Sequence, residues 1–354
     1  MHPLSLARPG SIQRMQTPKF FWSTRMKAAV VPSVNGKWEV KQWETPKPGP
    51  NQVVMKIHAS GLCYTDVHLT HGLIPVQFPH VFGHEPVGEI VEVGPGVTSR
   101  KVGDRVGVGW VQKGDGTCEW CLRGKKELCQ NPIASTGITV PGSHAEYMLA
   151  YADATMPLPA AISYEQAAPI FCAGYTVWSG LRLADPKPHE RIAVVGIGGL
   201  GHLALQYSKA SGFETIAVTK SKDKEKMIRE LGADEVVESG AKLLAAGGAD
   251  VLLATSNSWT ATQEAAQGIR PDGRIVVMGA SNEPLLFNMS MMLNRVRILG
   301  SSQNGPEYLY EALDLVAKGK VKVVEEIYKL DDIAKAYDRV AEGKVRFRAV
   351  ITMT

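Results

Sequence analysis

The sequence predicts two unlike domains: a β-rich one from Met26 to roughly residue 170, then an α/β domain built on a doubly wound parallel sheet. Three observations carry this expectation. Short β-like runs broken by Gly and Pro turns fill the first part. From Arg191 onward, apolar strand runs alternate with helix-length amphipathic segments, the pattern of repeated βαβ units. Three glycines, Gly196, Gly198 and Gly201, fall between the first of those strands and the helix that follows it. At 354 residues the chain also exceeds a typical single core, which agrees with two domains.

Taken in order, "MKAAVV", "VVMKIHAS" and "VGEIVEVG" are the clearest strands of the first part. The second part supplies "IAVVG", "ETIAVTK", "DEVVE", "DVLLATS", "RIVVMGA" and "VRILGSS", enough for a six-stranded sheet. The chain then returns through a helix, "EYLYEALDLVAKG", to a closing strand, "RFRAVIT". The first 25 residues lack Asp and Glu and carry Arg8, Arg14, Lys19 and Arg25, as organelle transit peptides do, while Pro3, Pro9 and Pro18 oppose an amphipathic helix. A transit peptide and an upstream start or expression remnant both stay open, and the segment is left out of the fold.

Composition narrows the function. With 44% hydrophobic and 21% charged residues the chain reads as globular, and no apolar run is long enough to cross a bilayer. A formal charge of +4 without a basic block gives no reason to expect nucleic acid or a membrane surface as partner. Five cysteines, an odd number without disulfide-framework spacing, suit free thiols in a reducing compartment. The expected location is the cytoplasm, or the mitochondrion if residues 1–25 are a transit peptide.

The glycines read as a dinucleotide fingerprint, G-x-G-x-x-G, because a strand precedes them and a helix follows. Gly196 permits the tight turn, Gly198 a close approach to the diphosphate, and Gly201 close helix–strand packing; Gly199 and Leu200 complete the loop. An NAD site places Asp or Glu about 20 residues further on. Here that place is taken by Thr219, followed by Lys220, Ser221 and Lys222, whose cations and hydroxyl suit a 2′-phosphate and favour NADP.

Two cysteine constellations point to metal. Cys63, His84 and Cys172 make a thiolate–imidazole–thiolate set of the kind that holds a catalytic zinc with one position open, and Glu85 adjoins it. Cys118, Cys121 and Cys129 stand at C-x2-C-x7-C spacing, and the same interval before Cys118 falls on Asp115. A carboxylate standing in for a fourth sulfur keeps the charge of the site, with a harder donor.

From Met26 to the end, "GLCYTDVH", "GHE", the cysteine cluster, "FCAGYTVW" and "GIGGLG" follow one another in the order seen in zinc-dependent alcohol dehydrogenases of the medium-chain dehydrogenase/reductase superfamily, and the chain resembles that family, most of all its microbial and cinnamyl-alcohol-type branch. The resemblance implies a GroES-like catalytic domain (26–173 and 306–354) and a Rossmann coenzyme domain (174–305), with the active site between them. It implies that Cys63, His84 and Cys172 hold a catalytic zinc, that Asp66 orients His84, and that Glu85 lies close behind. It also implies that Thr65 binds the substrate oxygen and opens a proton relay to His68 at the surface. Thr176 would pack on the nicotinamide, Trp110 and Leu73 would line the substrate pocket, and Arg348 would approach the diphosphate. Asp115, Cys118, Cys121 and Cys129 match the family's structural-zinc lobe, giving two zincs per chain. Such proteins are homodimers or homotetramers. The implied reaction is reversible hydride transfer between a primary alcohol, aliphatic or aromatic, and NAD(P). Two departures stand out: Asp115 itself, and "GSSQNGPE", which lacks an arginine that several relatives place near the diphosphate. A zinc-free quinone or enoyl reductase would lack the three ligands, and a non-catalytic protein on this scaffold would be expected to lose Thr65, Glu85 or the glycines.

Overall fold

The computed structural model describes residues 24–221 and 224–353. The expectations for residues 1–23 and for Lys222 therefore lie outside the described residues. Six parallel strands form the coenzyme sheet, in the spatial order Glu235–Val237, Glu214–Val218, Arg191–Val195, Ala249–Ala254, Ile269–Val277 and Arg297–Gly300. These are the six runs read from the sequence. Central strands of such a sheet are covered on both faces, so they are apolar throughout rather than alternating. Ile192 and Val194 pack on one face with Val177, Leu203 and Leu309, while Ala193 and Val195 pack on the other with Leu243 and Ala265. The strand order reverses between Arg191–Val195 and Ala249–Ala254, and a crevice opens there beyond the carboxyl ends of the strands.

The first part folds around a second sheet, in the order Glu325–Lys329, Arg348–Thr352, Gln52–Leu62, Pro86–Val93, Arg105–Val108 and Thr155–Pro157, with Tyr147–Tyr151 also paired to Gln52–Leu62. The closing strand lies antiparallel to Gln52–Leu62, with Ile351 opposite Ser60 and Ala349 opposite Leu62. The C-terminal strand is thus laid beside the strand that leads into Cys63. Arg25–Val30 and Glu39–Glu44 form a separate two-stranded ribbon.

Three elements differ from the sequence expectation. The β-rich part contains a helix, Tyr64–Thr70, too short to show helical periodicity clearly. The return to the closing strand holds a further strand, Glu325–Lys329, and a helix, Ile333–Ala341. That strand lies at the sheet edge with Ile327 exposed, so it lacks the apolar run that marks a buried strand. The helix Pro306–Ala317 packs through Leu309, Ala312 and Leu313 into the core that covers one face of the coenzyme sheet. Among the described residues no helix is long and apolar enough to cross a membrane.

Candidate active site and metal centres

Cys63 follows the strand Gln52–Leu62 and precedes the helix Tyr64–Thr70. Asp66, in the first turn of that helix, is fully buried and accepts a 2.9 Å hydrogen bond from the Cys63 N–H and a 3.3 Å bond from the Gly83 N–H. One carboxylate thereby fixes both backbone segments that carry Cys63 and His84. His84 Nδ1 lies 3.7 Å from Asp66 Oδ1, which leaves Nε2 for another partner. Cys172 sits at the break between the turn Ala168–Phe171 and the helix Ala173–Ala184, with its Sγ 3.8 Å from Cys63 Sγ.

The donor atoms of Cys63, His84, Glu85 and Cys172 all lie within 4.8 Å of one another. Both ring nitrogens of His84 and Glu85 Oε2 are buried without a hydrogen-bond partner, which is uncommon for buried polar groups. Two sulfurs, an imidazole and a carboxylate turned inward on one point fit a zinc ion. Contact with Cys172 holds the Cys63 thiol well below its usual range against the effect of burial, and contact with Cys63, together with burial, pushes Cys172 up. Burial favours a neutral His84, but the Asp66 charge outweighs it and raises the imidazole. Burial would raise Asp66; the His84 charge and the imidazole contacts hold it well below the carboxylate range.

Arg348, expected at the diphosphate, lines the same groove as the glycine loop and also pairs its guanidinium with Glu85 in a buried contact. Burial pushes Glu85 up to about 7 while Arg348 pulls it down. A buried charge that keeps a partner avoids a penalty of several kcal/mol, so this pairing dictates where the arginine points. Gly61 makes room for it: a Cβ there would come within 1.8 Å of Glu85 Oε2.

In the lobe, the donor atoms of Asp115, Cys118, Cys121 and Cys129 also lie within 4.8 Å of one another. Asp115 Oδ1 accepts 2.9 Å bonds from the N–H groups of Thr117 and Cys118, which fixes the carboxylate and leaves Oδ2 free for a metal. Those bonds hold Asp115 well below the usual carboxylate range. This donor set fits a zinc ion as well.

The glycine loop lies at the switch point. Gly196 has φ +90°, and a Cβ there would strike Ser256; a Cβ on Gly201 would lie 2.2 Å from the Gly196 carbonyl oxygen. A Cβ on Gly198 would meet nothing within 4 Å, because it would project into a groove of about 610 Å³. Gly196, Gly198, Gly199, Leu200, Thr219 and Ser221 line this groove, which fits a dinucleotide laid across the loop. A neighbouring cavity of about 470 Å³ is lined by Thr65, His68, Trp110, Cys172 and Thr176, among others. Groove and cavity share Cys63, Tyr64, Leu200 and Asn257, so they meet at one of the candidate metal-ligand thiols.

Several residues stand elsewhere than expected. Leu73 is 56% exposed and does not line the cavity, because the helix ends before it and turns it outward. His68 lines the cavity and is half-buried rather than superficial, and burial lowers its pKa. Lys220 is exposed and pairs with Glu264 at 3.3 Å, away from the groove. The sequence reading missed Lys224 and Arg346, which line the groove. It also missed Gln303, whose amide accepts from the Trp110 N–H at 3.1 Å and donates to the Phe171 carbonyl at 2.8 Å. "GSSQNGPE" therefore shapes the cavity wall. Only the run of lysines after Thr219 hinted at Lys224; Gln303 had no local signal.

Residues 49–160 match the alcohol dehydrogenase GroES-like domain, and residues 199–318 match the zinc-binding dehydrogenase domain. An alcohol dehydrogenase of Geobacillus stearothermophilus is 41% identical over 335 residues, covering 92% of this chain and 99% of that one. The chain belongs to the zinc-binding alcohol dehydrogenases. Two solved structures of this kind resemble it closely. One is a thermostable alcohol dehydrogenase from Pyrobaculum aerophilum with cobalt and zinc bound, at 26% identity and a TM-score of 0.84, covering 93% of this chain and 99% of that one. The other is an acetophenone reductase from Geotrichum candidum in complex with NAD, at 27% identity and a TM-score of 0.83, covering 94% and 98%. This alcohol dehydrogenase is accordingly a zinc- and nicotinamide-dependent oxidoreductase.

The glycines supply a paired test. Gly198→Val is expected to leave thermal unfolding near the parent while weakening cofactor binding by about 1 to 3 kcal/mol, the usual cost of overfilling a packed space. Gly201→Ala, which strikes backbone, is expected to lower both. Calorimetric cofactor titration and thermal melts of the two variants check this.

Proposed function

We propose that this enzyme carries hydride reversibly between a primary alcohol, aliphatic or aromatic, and NADP, with zinc held by Cys63, His84 and Cys172. The observation that carries the reading is the meeting of the dinucleotide groove with the second cavity at Cys63. When bound, the zinc supplies Lewis acidity that eases ionisation of an alcohol near neutral pH and polarises an aldehyde carbonyl. Asp66 fixes the direction of His84 by facing its other ring nitrogen. Thr65, with Oγ1 at 3.6 Å from Cys63 Sγ, accepts the hydroxyl proton of the substrate at that oxygen while releasing its own hydroxyl proton outward. His68, on the wall of the same cavity and neutral at pH 7 because burial lowers its pKa, accepts the proton further out. Trp110, edge-on to His84 with ring centroids 5.2 Å apart, and Tyr175 give the cavity an aromatic wall. Thr176 contributes to the face on which the nicotinamide rests.

Preference for NADP rests on Thr219, which follows the strand Glu214–Val218 in the groove and accepts the Ser221 N–H at 3.2 Å. Among the described residues lining the groove there is no carboxylate to bind a ribose hydroxyl pair, and Ser221 with Lys224 suits a 2′-phosphate. A second zinc in the lobe, on Asp115, Cys118, Cys121 and Cys129, acts as a structural clamp. A homodimer, or a homotetramer built from it, is favoured by the unpaired edge of the strand Arg297–Gly300 and by exposed Leu286, Phe287, Met289 and Met292 nearby in the chain.

Thr65→Val is expected to lower turnover of NADPH with benzaldehyde about 100-fold or more, the usual worth of a positioned proton acceptor, while zinc and cofactor stay bound. Near-parental turnover would remove Thr65 from the proton path. Thr219→Asp is expected to move the ratio of kcat/KM values from NADP toward NAD, and an unchanged ratio would show that Thr219 has no part in the choice.

A further inference from the structure

His144 belongs to neither metal set nor cavity, yet it is fully buried and its Nε2 has no hydrogen-bond partner. That nitrogen lies 3.9 Å from Asp66 Oδ2. Asp66 is consequently matched on both sides: Oδ1 takes the Gly83 N–H and faces His84, while Oδ2 takes the Cys63 N–H and faces His144. The far nitrogen of His144, Nδ1, is 3.0 Å from Ser60 Oγ, which is 2.7 Å from Ser143 Oγ. If Ser143 donates to Ser60 and Ser60 to Nδ1, every group in the chain is used once and the ring hydrogen stands on Nε2, toward Asp66. The ring is held against Trp38, with centroids 5.5 Å apart. Its backbone is strapped to the turn that carries His84: His144 N–H donates to Phe82 O and Ser143 N–H to Gly83 O, both at 3.0 Å. That close approach needs a glycine at 83, where φ is +100° and a Cβ would lie 2.8 Å from His144 N.

We infer that His144 is a positioning residue of the metal site, holding Asp66 from the side opposite His84 so that a line Ser60–His144–Asp66–His84 sets the direction of the ligating imidazole. The inference rests on the reading of Cys63, His84 and Cys172 as zinc ligands. Groups one contact beyond a metal ligand commonly alter metal affinity by about 10- to 100-fold; His144 stands one contact further out, behind Asp66, so the lower end of that range is expected here.

The test follows zinc release from the holoenzyme to a chelator, taking the phase that is absent from Cys172→Ala, together with the visible bands of the cobalt-exchanged enzyme. His144→Phe is expected to release zinc about 10-fold faster and to shift the cobalt bands. His144→Gln, which keeps a side-chain N–H donor, is expected to recover most of the parental rate. A role in packing alone would lower the melting temperature while leaving release and bands as in the parent, and that result overturns the inference. Should His144→Phe fail to fold, Ser60→Ala decides: faster release supports the line, and a parental rate overturns it. A parent enzyme without the Cys172-dependent phase would instead overturn the assignment of the zinc ligands, and this inference with it.

Discussion

Asp66 carries a charge that the fold has removed from water, and the active centre is arranged around keeping that charge satisfied. Its two oxygens take backbone N–H groups from the segments bearing Cys63 and His84, which are brought together across separate parts of the chain. An unpaired buried carboxylate costs several kcal/mol, so each of these contacts is enforced rather than incidental. Once the two segments are fixed, the thiol, the imidazole and Glu85 point at one place, and the helix Ala173–Ala184 delivers Cys172 to it. Two sulfurs, an imidazole and a carboxylate gathered within 4.8 Å of one another make a donor set that suits a divalent cation.

The second constraint is the C-terminal strand. By pairing with Gln52–Leu62 it brings Arg348 to Glu85, so the end of the chain is tied to the metal site and to the wall of the dinucleotide groove at once. The cavity and the groove therefore share a boundary made by Cys63 and Leu200, one from each domain. Hydride transfer needs the alcohol carbon and the nicotinamide in contact, and this shared boundary is where such contact is geometrically open.

What the sequence disclosed, and what it withheld, follows from the range of the interactions. The four central strands of the coenzyme sheet were legible because strands buried on both faces are written as apolar runs, and the partly exposed edge strands Glu235–Val237 and Arg297–Gly300 because short apolar runs recur there at the same βαβ spacing. The glycine loop was legible because its three glycines fall within six residues of one another, between a strand and a helix. The two candidate metal sets were legible in residue type and, in the lobe, in short spacing, and the fold gathers the donor atoms of each set within 4.8 Å. Contacts between residues far apart in the chain left no such trace. Arg348 and Glu85 are 263 positions apart, and Gln303 reaches Trp110 across 193. Leu73 was misplaced because its side-chain type suited a pocket, whereas its direction is set by the turn after a seven-residue helix. His144 is silent in the sequence for the same reason: it is one histidine among nine, with its meaning fixed by Asp66 and Ser60.

The central claim, that Cys63, His84 and Cys172 form a zinc site distinct from the lobe, is tested most directly by the zinc content of the purified enzyme and of Cys172→Ala. The account predicts two zincs per chain in the parent and retention of the lobe zinc alone in the variant, with loss of alcohol oxidation. A variant that keeps the parental zinc content and turnover would contradict it.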